Sequence, residues 1–144
     1  MRIIRFFLIL VLFFVSTTAF WGGTVLIANA HGNPWGMMPL SLLAHSPFHS
    51  WLIPGLILIS ANGVLGLLVM WQTLRQEPKY GLWSALQGFV LMGWLAVECL
   101  FLRIVARPHY FYGALALLLI LCGFALQHAS DAHRAGPDHP AFTA

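Results

Sequence analysis

This chain has 144 residues, of which 60% are hydrophobic and only 8% charged, whereas a soluble domain carries about 25% charged residues. So few charges could not clothe a water-facing surface, and lipid is the solvent this composition asks for. Seven Lys/Arg against four Asp/Glu leave a formal charge of +3, too small and too scattered for a nucleic-acid partner, so the basic residues read as topology signals.

The first apolar run, Phe6 to Ile27, follows Arg2 and Arg5 and supplies the roughly 20 residues that a spanning helix needs. Ala28-Asn29-Ala30 resembles a signal-peptidase site. The run is nevertheless longer than the roughly 7–15 residues of a secretory signal core, and a retained helix is expected. His31 to Pro47 is rich in Gly and Pro and carries Trp35, Met37, Met38, Leu40, Leu42 and Leu43. It is too apolar for a solvated loop and too broken to span, which suits a segment lying in the interface or over the mouth of the helices.

Pro47 to Thr73 forms the second expected span. Ser46 is placed to cap its free N–H groups and Pro47 suits a first helical turn; Pro54 then falls inside the helix and should bend it. The charged turn Arg75-Gln76-Glu77-Pro78-Lys79 closes it. Leu82 to Val105 is the third span, ended by Arg107-Pro108 because the residue before proline avoids helix. Tyr110 to Leu126 is the fourth. The remainder, 128–144, is polar and rich in His, Ala and Pro, as in disordered tails.

The fold class expected is therefore all-α: one integral membrane domain over 1–127, an antiparallel four-transmembrane-helix bundle with a short outer interfacial segment. Its spans are about 6–27, 47–73, 82–105 and 110–126. An N-terminus in the cytoplasm puts Arg2, Arg5, Arg75, Lys79 and Arg134 inside and Arg103 and Arg107 outside, which follows the positive-inside bias. Both termini are then cytoplasmic. Cys99 and Cys122 lie at different depths in this layout and read as small buried hydrophobes rather than a disulfide.

Glu98 is the only acid within an expected span. A carboxylate at the bilayer centre costs about 2.5–3.5 kcal/mol on insertion scales, so it should face other helices and find a partner. Gln87, Leu91, Trp94 and Glu98 recur at helical spacing, as do Gly55, Ile59, Asn62, Gly66 and Thr73. Small and polar residues on one stripe mark helix contact in membranes. One reading makes Asn62 and Glu98 a buried polar site; the other makes them structural hydrogen-bonding glue. Arg103 and Arg107 are four apart and so lie on one face at the outer end of the third helix, where they would anchor at the interface or receive phosphate headgroups.

Four histidines, His31, His45, His49 and His109, fall on the outer side, and a metal site there needs three or four converging ligands. Only His49 falls inside an expected span, at its very start, and no histidine faces it from another span, so haem fits poorly. His128, His133 and His139 belong to the polar tail. Motifs for nucleophilic catalysis, phosphate-cradling loops and zinc protease helices are absent.

The string Ser46-Pro47-Phe48-His49-Ser50-Trp51-Leu52-Ile53-Pro54-Gly55-Leu56-Ile57-Leu58, with Gly93-Trp94 and Glu98 further on, is similar to a pattern in uncharacterised small bacterial four-helix membrane proteins, across roughly residues 38 to 125. That resemblance implies fold rather than activity and points to a bacterial inner membrane. A looser similarity to quinol-linked families of the DoxX kind rests on helix count.

Three functions follow as expectations. The first is a non-enzymatic accessory subunit that stabilises a larger membrane complex, partnered by another membrane protein or its own copy and carrying no cofactor. The second is a small-molecule binder or transporter for a lipid or quinone, using Asn62, Gln87, Trp94 and Glu98, with Arg103 and Arg107 at its outer edge. The third is an outer-face metalloprotein using His31, His45, His49 and His109.

Overall fold

The computed structural model describes residues 2–32 and 39–134. Four long helices dominate: α1 (Arg2–Ala28), α2 (Leu52–Arg75), α3 (Tyr80–Leu102) and α4 (Arg107–Arg134). Among the described residues there is no strand, and each of the four helices is long and apolar enough to cross a membrane. Trp35, Met37 and Met38, which carry the interfacial reading of the long connection, lie outside the described residues. The following part of that connection contains a single 3-10 turn, Leu40–Leu43.

The helices carry apolar side chains outward as well as inward. Ile3, Phe6, Trp21, Leu100, Tyr110 and Leu121 are each more than half exposed. With both faces apolar, burial alone does not tell a helix which side to pack, so close backbone approach and polar contacts decide. A Cβ at Gly23 would lie 2.8 Å from Gly55 O, and one at Gly55 equally close to Gly23 O, where α1 meets α2. Gly81 and Gly123 do the same for α3 and α4, each carbonyl 2.6 Å from where the other's Cβ would stand. Between α2 and α3, the buried hydroxyls of Thr73 and Ser84 meet at 3.3 Å.

Core side chains form three groups along the molecule. Leu8, Leu12, Val69, Leu119 and Leu126 pack in one; Val15, Leu91, Leu95 and Ala116 in the next. In the third, Leu26 of α1 is covered by Leu43 and Trp51 of the long connection, and Trp51 N–H donates to Ala30 O at 3.0 Å.

Several helix ends differ from the sequence expectation. Ser46 does not cap α2: its hydroxyl donates to Leu43 O (2.9 Å) and accepts from Phe48 N–H (3.2 Å), holding a turn in the connection. The helix begins at Leu52, so Pro54 sits in its first turn, where a missing N–H costs no intrahelical bond. α2 is interrupted instead by a π-helical segment, Ile59–Val64, in which Leu65 N–H reaches back to Ser60 O. α3 stops at Leu102 because Arg103 turns into the left-handed region (φ 51°), as Gln76 (φ 55°) does after α2. α4 starts at Arg107 with Pro108 in its first turn and continues through His128 and His133 to Arg134; His139 lies outside the described residues. Cys99 and Cys122 are free thiols.

Candidate functional site: a divided cavity around Glu98

The π-helical segment puts Asn62 at the centre of the site. Its wide turn lets the Gln87 carboxamide of α3 reach in, Nε2 donating to Ala61 O at 3.2 Å and to Asn62 Oδ1 at 3.3 Å. Both hydrogens of that amide are thereby used, and Asn62 is held with Oδ1 towards Gln87. Asn62 and Gln87 are both fully buried. Asn62 Nδ2, Gln87 Oε1 and the hydroxyl of Ser16 on α1 have no protein partner. A buried polar group left in that state costs about 1–3 kcal/mol. π turns of this kind are frequent at functional sites.

Asn62 borders a half-open cavity of about 280 Å³ to which all four helices contribute, lined also by Thr18, Leu58, Trp94, Glu98, His109 and Tyr112. A second cavity of about 310 Å³ lies on the other side of Trp94 and Glu98, walled by Phe48, Trp51, Pro54, Ile57 and Phe101. Trp94 and Glu98 therefore border both spaces. The second is the more apolar, and Phe48 meets Phe101 edge-to-face there, ring centres 6.0 Å apart.

Glu98 and Asn62 do not form one polar contact. Gln87, which holds Asn62, stands eleven residues before Glu98 on the same helix, about 16 Å along the axis. The first cavity is thus polar at each end: an amide N–H at Asn62, and an acid facing an imidazole at Glu98. His109 supplies that imidazole from the first turn of α4, with Nε2 3.8 Å from Glu98 Oε2. His109 Nδ1 lies 3.0 Å from Ala106 N and 3.3 Å from Ala106 O, contacts that hold the ring with Nε2 towards the carboxylate. The separation exceeds a hydrogen bond, and an oxygen or nitrogen placed beside the pair could contact both.

Of the residues expected to bind a ligand, Asn62, Trp94 and Glu98 line the first cavity, and Gln87 stands behind Asn62. Arg103 and Arg107 do not share a helical face, because α3 has already ended and four residues of non-helical chain separate it from α4. Both are exposed and border neither cavity. The four outer histidines do not converge either. His31, His45 and His49 are exposed while His109 turns inward, and among the described residues no three His, Cys, Asp or Glu side chains gather as metal ligands do. Sequence reasoning missed Ser16, Tyr112 and the inward turn of His109. The signal for His109 was Pro108, which fits a helix start as well as a stop.

No known protein family, curated protein or solved structure matches this chain.

Proposed function

We propose that this is a multi-pass membrane protein whose four antiparallel helices hold one small amphipathic molecule, lipid-like or quinone-like. Its polar end would lie against Glu98 and His109, and its apolar end in the second cavity. One observation carries the reading: a carboxylate and an indole, Glu98 and Trp94, are shared by two adjoining cavities, one polar at its ends and one walled by aromatic and aliphatic side chains. Apolar pockets with a few convergent polar groups are the usual form of small-molecule sites.

The accessory-subunit reading draws on the large outward-facing apolar side chains, which a partner helix would cover. Acyl chains cover such faces equally well, so those faces favour a partner no more than lipid. The distribution of Lys and Arg supports a bacterial inner membrane with both termini in the cytoplasm, where a reporter fused after the last residue should be active.

Native mass spectrometry of the protein taken gently from its own membrane tests the binding reading. One amphiphile per chain is expected, lost when Ala19→Leu fills the first cavity, which Ala19 lines. A stoichiometric second polypeptide and no small molecule would instead restore the accessory-subunit reading.

A further inference from the structure

Glu98 lacks the strong cationic partner that a carboxylate among apolar helices usually has. Among the described residues its one ion-pair partner is His109, at 3.8 Å, and neither Arg103 nor Arg107 borders its cavities. The other described acids, Glu77 and Asp131, lie in the short turn and near the end of α4. Aromatic side chains flank it on both sides: Trp94 and Tyr112 in the first cavity, Phe48, Trp51 and Phe101 in the second. A carboxylate among aromatic side chains, bordering a second cavity in which it is the one charged group, matches the recognition of organic cations. A neutral head would hydrogen-bond the acid without balancing its charge. An anionic head would be repelled by it.

We propose that the site takes an amphipathic monocation, an amine or quaternary ammonium head beside Glu98 with its alkyl tail in the second cavity. This rests on the reading that the cavities hold an amphiphile at all, and it adds the sign of the charge. His109 then acts as a resident competitor: its Nε2 faces the same carboxylate oxygen that the ammonium would approach.

The test uses two probes with one tail, dodecyltrimethylammonium and dodecanol. Each is titrated below its aggregation limit into the full chain in nanodiscs of zwitterionic lipid, with empty discs as background. The ammonium should saturate at one per chain and bind at least tenfold more tightly than the alcohol. Glu98→Gln should remove that preference and Glu98→Asp should keep part of it, helical content and melting being checked for both. If the glutamine variant does not fold, the wild-type preference and the aspartate variant still decide. Equal saturable binding of both probes would overturn the cation and leave the amphiphile reading standing. A preference that survives in folded Glu98→Gln, or a preference for the alcohol, would also overturn it. If neither probe saturates, both readings fall together.

Discussion

Ser16, Gly66 and Gln87 meet at the point where α1, α2 and α3 come closest to sharing a polar contact. The hydroxyl of Ser16 and Oε1 of Gln87 are both buried without a protein partner. Gly66 lies between them: a Cβ built there would collide with Ser16 Oγ and lie 3.9 Å from Gln87 Cδ. Gly66→Ala is therefore expected to destabilise the protein by about 1–3 kcal/mol through overpacking. Adding Ser16→Ala, which removes the colliding oxygen and one unsatisfied group, should return most of that loss. Thermal unfolding of the two single variants and the double variant reads the coupling; purely additive effects would show that the two side chains do not compete for this space. The sequence marked Asn62, Gln87 and Glu98 as polar residues on inward stripes, but it paired Asn62 with Glu98. A stripe fixes a face and not a height, so the level at which α2 and α3 meet could only come from their packing. Ser16 was hidden in a long apolar run whose remaining members gave no reason to single it out.

Helices α3 and α4 pack along an extensive contact, and it depends on glycine where backbone meets backbone. At Gly81 and Gly123 the obstructing atoms are main-chain ones, which cannot rotate away as a side chain can. Gly81→Ala should separate the two helices and cost at least about 1–3 kcal/mol. Gly93, on the same helix, has nothing within 4 Å of its Cβ position, so Gly93→Ala should be neutral or stabilise by up to about 1 kcal/mol through helix propensity. Unfolding of the two variants in the same detergent checks the contrast, and equal effects would mean that these contacts do not hold the pair. The four long helices were legible as apolar runs, yet several of their ends were not. Sequence reading takes glycine and proline as punctuation, whereas Gln76 and Arg103 terminate helices here in left-handed conformations that cost ordinary residues about 1–2 kcal/mol. Nothing in their chemistry announced it. The last helix ran on through the polar stretch to Arg134, because polarity by itself does not end a helix.

At the scale of the whole molecule, composition alone indicated lipid as the solvent, while the divided cavity was not legible at all. A cavity is a property of how four helices fail to fill the space between them. Its two walls come from residues as distant in sequence as Thr18, Asn62, Glu98 and Tyr112. The placement of Trp94 between the two spaces gives the most direct way to ask what occupies them. The measurement is photocrosslinking in living cells with Trp94→p-benzoylphenylalanine, compared with the same replacement at Leu100, which is 71% exposed on the outside of α3. The account predicts one discrete amphiphile captured at position 94 and a mixture of bulk membrane lipids at position 100. The same lipid mixture at both positions, or capture of a second polypeptide from within the cavity at position 94, would contradict it.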